Sequence, residues 1–148
     1  MESQSHRRHL YLAAPLFCEA ELEFNRRVRD ALSGAFDVYL PQEEGGLLRD
    51  MLRAGVPAPE GARLVFERDL KALRISDVLL ISLDGRAVDE GAAFELGVAH
   101  ALGKPCYGLQ TDVRRLLPTG NNPMIDGVLR NVFRSLEELR SWAQSGGD

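Results

Sequence analysis

Residue types that could do chemistry concentrate in one stretch, Asp89-Glu90-Gly91-Ala92-Ala93-Phe94-Glu95-Leu96-Gly97. From Gly91 to Gly97 every residue except Glu95 is small or apolar. A helical side chain leans back over the turn N-terminal to its own Cα. In a helix, Glu95 therefore covers Gly91, which has no side chain to block a ligand. Asp89 falls at the start of that helix, at the mouth of the same site. Two carboxylates this close suit glycosidic chemistry, in which one attacks the anomeric carbon and the other handles a proton. The same spacing also fits a plain structural role, with Glu95 solvated and Asp89 an N-cap. Spacing alone does not separate the two.

Other reactive residues form weaker patterns. His6 and His9 sit three apart near the start, a spacing read as solvated side chains, and no metal site is expected. His100 reads as a helix histidine, not a catalyst. Cys18 and Cys106 are too few for a disulfide framework or a four-cysteine zinc site. Cys18 lies near the first loop and reads as a small hydrophobe. No Gly-x-Gly-x-x-Gly or P-loop pattern appears. Nothing calls for a dinucleotide, ATP or Mg²⁺, so no cofactor is expected.

Placing Asp89 and Glu95 requires a frame, and the apolar patterning supplies one. Leu10 to Ala14, closed by Pro15, reads as a buried strand. A helix follows over about 19–33, stopped by Ser33-Gly34. Phe36 to Leu40 is a second strand. Residues 42–61, with four glycines and two prolines, read as a long loop holding one helical turn near 47–52. A helix is expected over 62–75, with Phe66, Leu70 and Leu73 at core spacing. Asp77 to Leu83 is the strongest strand, and its unbroken apolar run marks burial on both faces. Then come the 90–102 helix, ended by Gly103, and a strand over 104–109. Residues 110–130 read as irregular, with a turn near 112–116. A short strand over 131–133 leads to a capping box at Ser135–Glu138, which opens the last helix. This alternation predicts an α/β fold: one doubly wound, flavodoxin-like domain with five parallel strands and helices on both faces. Ligands in such folds bind beyond the carboxyl ends of the strands.

Composition narrows the class. The chain has 148 residues, 45% of them hydrophobic, which is one domain's worth with a real core. The domain is read as 1–148, with 1–8 and 145–148 as frayed tails. The longest apolar run, Val78 to Ile81, is far short of the ~20 residues that span a bilayer. The basic start lacks the apolar region of a secretory signal, so a cytoplasmic protein is expected. Eighteen Lys and Arg against 22 Asp and Glu give a net charge of −4. That is a poor basis for binding nucleic acid through its phosphates.

In four pieces the sequence resembles the nucleoside 2-deoxyribosyltransferases. They are Tyr11-Leu12-Ala13-Ala14-Pro15-Leu16-Phe17, Asp69 before the third strand, Asp89-x-Gly91-x-x-x-Glu95-x-Gly97, and Asn122-Pro123-Met124. The resemblance runs from about Tyr11 to Asn131. It implies an enzyme that moves a 2-deoxyribosyl group between nucleobases, acting on small deoxynucleosides and free bases. By the same resemblance Glu95 is the nucleophile and Tyr11 the residue that orients it. Phe17 walls the base pocket, and Asp69 and Asp89 contact base and sugar, one of them a candidate proton donor. Asn122 and Met124 match residues that family members lend to a neighbouring subunit's site, which implies a dimer-based homo-oligomer with shared sites. The stretch after Tyr39 departs from the family pattern, leaving Gln42, Glu43 and Glu44 all open as base contacts. The runner-up is a hydrolase of 2′-deoxynucleoside 5′-monophosphates. A phosphate site wants hydroxyls, backbone N–H groups or arginine. The first loop has no hydroxyl, and Arg114 and Arg115 are the residues that would reverse this preference. A nucleotide sensor without turnover is the third reading, opposed by carboxylates that repel phosphate.

Overall fold

The computed structural model describes residues 7–114 and 120–148. Five strands form one all-parallel sheet: β1 (Arg8–Ala13), β2 (Phe36–Tyr39), β3 (Val78–Ser82), β4 (Cys106–Leu109) and β5 (Val132–Phe133), in the order β2-β1-β3-β4-β5. The helices are α1 (Glu19–Leu32), α2 (Leu48–Arg53), α3 (Ala58–Ile75), α4 (Glu90–Ala101), α5 (Pro123–Asp126) and α6 (Leu136–Gln144). This is the doubly wound architecture that the alternation predicts. No helix among the described residues is long and apolar enough to cross a membrane.

Strand alternation divides the core in two. Leu10 and Leu12 of β1 face one side, packed with Val78, Leu80, Tyr107 and Leu109, under α1 and α6. Tyr11 and Ala13 face the other, with Leu79, Ile81, Ala92, Leu96 and Ala99, under α3 and α4. All five residues of β3 are buried, as its apolar run requires. The switch in strand order lies between β1 and β3, and the loops leaving these strands flank it.

Several boundaries differ from expectation. The helical turn expected near 47–52 within the 42–61 stretch is α2, but α3 begins at Ala58, four residues before the expected start. The prolines explain the early start. Pro57 is the N-cap and Pro59 lies in the first turn, where a missing N–H costs nothing. Gly61 is buried against α2, where a Cβ would come 2.9 Å from Leu48 Cδ1. A further helical turn forms at α5, within the stretch read as irregular. The turn expected near 112–116 runs into 115–119, outside the described residues. Ser135 caps α6 through the Glu138 N–H, but the Glu138 carboxylate accepts from Arg134 N, not from the cap residue.

Of the stretch read as a frayed start, residues 1–6 lie outside the described residues. Arg8 already belongs to β1, paired with Phe36 of β2. At the other end Gly147 is buried: its N–H donates to the Trp142 carbonyl at 3.1 Å, and Arg8 Nη1 donates to the Gly147 carbonyl at 3.1 Å. Its φ is +69°, and a Cβ there would run into the Phe36 ring. The closing glycines therefore fold back onto the core.

A buried amide pair ties two loops of the carboxyl edge together. Asn25 of α1 donates to the Pro15 carbonyl and to Gln42 Oε1, both at 2.9 Å, and Gln42 donates to the Leu22 carbonyl at 2.8 Å. Asn25 is 3% exposed. Asn25→Ala strands the Gln42 oxygen and the Pro15 carbonyl in the interior, which costs about 1–3 kcal/mol. The urea midpoint is expected to fall with the slope m unchanged; an unshifted midpoint would show the pair to be dispensable.

Candidate active site

Tyr11 and Glu95 meet across the boundary between sheet and helix. The Tyr11 hydroxyl donates to Glu95 Oε1 at 2.6 Å, the short distance of a bond to an ionised acceptor. Tyr11 comes from the centre of β1 and is fully buried. Glu95 comes from the second turn of α4, whose small residues Ala92 and Ala99 let the helix lie close to the sheet. Burial pushes the Glu95 carboxyl up from the ordinary 4.5 to about 7. The Tyr11 hydrogen bond opposes that rise, and the negative charges of Asp69 and Asp89 add to it. Tyr11 is itself pushed far above its ordinary value, first by burial and then by the Glu95 charge, so it stays a proton donor.

Glu95, Gly91 and Asp69 line one cleft of about 260 Å³, whose walls include Val65, Phe66 and Phe94. Gly91 thus lies beside Glu95, as the helical geometry predicts. Asp89 is the N-cap of α4, its Oδ2 accepting from Ala92 N at 2.9 Å. A Cβ on Gly91 would approach that oxygen to 3.2 Å. The capping role thus holds for Asp89, which still acts on Glu95 through its charge.

Two further residues complete the cluster, and neither was singled out from sequence. Tyr39 of β2 is the register partner of Tyr11, and the two rings stack with centroids 5.2 Å apart. Its hydroxyl donates to Asp69 Oδ1 at 2.9 Å. Arg68 Nε donates to the same oxygen at 2.9 Å. The signal for Tyr39 was the parallel register itself, which puts it on the face of Tyr11. Arg68 gave no signal beyond being one of several cations on α3. Asp69 is thus both a charge partner of its own helix and a wall of the cleft.

The remaining candidates lie elsewhere. Phe17 is 71% exposed at the start of α1, outside the Glu95 cleft. Asn122 caps α5, accepting from Met124 N at 2.9 Å, and lines a separate cavity beside Ala93 and Arg114. Met124 is 80% exposed. None of these three joins Glu95 within one chain. Gln42 is consumed by the buried amide pair, and Glu43 pairs with Arg26 and Arg29 of α1. Glu44 lines a different depression, with His9 and Asp37. Arg114 is engaged by Asp112, Nη2 to Oδ2 at 2.6 Å; Arg115 lies outside the described residues. His100 is exposed on α4 and Cys106 is buried, its thiol pushed up to about 11 by burial.

A family model described as nucleoside 2-deoxyribosyltransferase matches residues 10–139. The chain belongs to this family. It is therefore a pentosyltransferase-type enzyme acting on nucleosides. No curated protein matches the chain. Solved structures do. A 2-deoxyribosyltransferase from the psychrotolerant bacterium Bacillus psychrosaccharolyticus is 24% identical, with a TM-score of 0.73 over 89% of this chain and 90% of that one. A 2-deoxyribosyltransferase from Leishmania mexicana is 23% identical, with a TM-score of 0.66 over 93% and 97%. A CMP N-glycosidase from Clostridium botulinum is 16% identical, with a TM-score of 0.56 over 93% and 98%. At these identities the likeness is one of fold.

The raised Glu95 carboxyl has a thermodynamic consequence. The folded cleft favours the protonated acid over the ionised one. The stability this group contributes is complete below about pH 4.5 and is lost as pH rises through about 7. Glu95→Gln keeps an oxygen for Tyr11 and never ionises. Its melting temperature should exceed that of the parent at pH 8, with the gap closing toward pH 5. Parallel melting curves at both pH values would show that Glu95 is not destabilised by its surroundings.

Proposed function

We propose that this enzyme transfers a 2-deoxyribosyl group between nucleobases by double displacement at Glu95. One observation carries the reading: a half-buried carboxylate held by a fully buried tyrosine inside a largely apolar cleft. The tyrosine hydrogen bond fixes one oxygen. A lone pair of the carboxylate then forms a bond to C1′ of a 2′-deoxynucleoside, the bond from C1′ to the base nitrogen breaks, and its electron pair leaves with the base. A proton donor neutralises that base. A second base then attacks C1′ from the vacated side, gives up its N–H proton and releases the glutamate. Two inversions amount to retention. A carboxyl with a pKa near neutrality suits both halves, because it is ionised enough to attack and weakly enough solvated to react.

The assembly belongs to the same reading. Phe66 and Phe94, at the cleft wall, are 54% and 56% exposed, and Met124 is 80% exposed. Apolar side chains rimming a site mark a surface that another chain covers. We place Asn122 and Met124 of one subunit at the sugar end of its neighbour's cleft, across a two-fold axis that makes two sites per dimer. On this reading the enzyme serves nucleotide salvage in the cytoplasm.

One chromatographic assay tests the reaction. Deoxyinosine and free adenine should yield deoxyadenosine and hypoxanthine, and adenosine should react poorly as a donor. Base and sugar phosphate released from a deoxynucleotide, with no exchange, would establish the hydrolase instead. Glu95→Ala should lower exchange by about three orders of magnitude or more, as loss of a nucleophile does; near-normal turnover would sink the assignment. Sharing is tested by mixing. Glu95→Ala subunits exchanged with Asn122→Ala subunits should regain part of the activity, because a hybrid dimer carries one intact site. Exchange without recovery, or a monomer by light scattering, defeats the shared site.

A further inference from the structure

Arg68 reaches both the Glu95 cleft and the loop after β2. Its side chain is 24% exposed and that of Asp69 17%. The guanidinium forks: Nε donates to Asp69 Oδ1 at 2.9 Å, and Nη1 donates to the Gly46 carbonyl at 3.1 Å. The turn leaves room for it only because residue 45 is glycine. A Cβ there would stand 3.0 Å from Nη1 and 3.3 Å from Cδ, on a backbone already at φ +105°. The Tyr39 hydroxyl donates to the same Asp69 Oδ1 at 2.9 Å. Among the described residues, Oδ1 takes both donors and Oδ2 takes none.

This geometry decides how Asp69 meets a ligand. A guanidinium cation and a phenol both donate to one oxygen, so Asp69 is held in place as an acceptor at Oδ1. Oδ2 takes neither of these donors, so Asp69, in the cleft wall, keeps an oxygen to accept from a ligand. It favours an N–H group and repels a carbonyl oxygen, and that repulsion discriminates as much as the attraction does. A site built around such an acceptor rejects a ligand that leaves it unpaired.

We propose that Arg68 is a specificity-determining positioning residue: by clamping Asp69 as a hydrogen-bond acceptor, it makes the cleft select nucleobases with an exocyclic amine over their oxo counterparts. The proposal rests on the reading that a nucleobase occupies the Glu95 cleft.

The test uses binding, so it does not depend on turnover. In the full-length Glu95→Gln protein, calorimetry with 2′-deoxyadenosine and 2′-deoxyinosine should give a Kd ratio of about tenfold or more in favour of the amine. Adding Arg68→Met should bring that ratio below about threefold, mostly by admitting deoxyinosine. Adding Arg68→Lys keeps the charge without the fork and should restore part of the preference. Melting curves show whether each variant is folded, and the lysine variant carries the test if the methionine variant is not. Equal binding of the two nucleosides by Glu95→Gln, or a preference that survives Arg68→Met, overturns the inference. Absence of base exchange by the parent enzyme overturns the transferase reading instead, and leaves the binding ratio to judge Arg68.

Discussion

The constraint on which this structure depends is the burial of one carboxylate. Moving an ionised acid out of water is costly unless it is paired or hydrogen-bonded. Among the described residues Glu95 has a single donor, the Tyr11 hydroxyl, and three influences that disfavour its charge: burial, Asp69 and Asp89. Placing that donor needs a central strand, because only there is a tyrosine fully buried with its hydroxyl aimed at the next layer. Bringing the acceptor within 2.6 Å needs a helix that lies close to the sheet. The sequence of α4 meets that need with glycine and alanine at Gly91, Ala92, Ala93 and Ala99. Bulkier residues would pack the core better and hold the helix too far away.

The second carboxylate is managed differently. Asp69 lines the same cleft but receives two donors where Glu95 receives one. Tyr39 holds both tyrosine contacts in place, stacking on Tyr11 while bonding Asp69. The parallel register of β1 and β2 therefore does chemical work, because it sets two phenols side by side over two acids. Like charges close together push one another toward protonation. The charges of Asp69 and Asp89 add in this way to the rise that burial gives Glu95.

Much of this was legible in the chain before folding was considered. The five strands and the long helices follow from apolar period and from glycine and proline punctuation, and β3 most clearly, since its run from Val78 to Ile81 is apolar throughout. Glu95 over Gly91 follows from helical geometry alone. What escaped was of three kinds. Pro57 and Pro59 looked like breakers, though proline at a helix start is favoured. Tyr39 and Arg68 acquire their roles from contacts between elements, which no local pattern encodes. Phe17, Asn122 and Met124 stand outside the Glu95 cleft in a single chain, so the roles the resemblance implies for them are not carried by contacts within it.

That last point bears on the architecture of the site. A single chain offers a cleft of about 260 Å³, slightly below the roughly 300–1,000 Å³ typical of small-molecule sites. It is walled by phenylalanines that remain more than half exposed. A cleft that was complete in one chain would cover those rings, as burying each would gain about 1.5–3 kcal/mol. Leaving them uncovered makes sense when a second surface supplies the cover and excludes water from a carboxylate that water would otherwise solvate and return toward its ordinary acidity. The stretch containing α5 is suited to that task. It is short, capped by Asn122, and presents Met124 outward, with a flexible thioether that conforms to a neighbouring surface. On the proposed shared-site reading, a contact covering Phe66 and Phe94 would also keep Glu95 poorly solvated, adding to the burial that already raises its acidity constant.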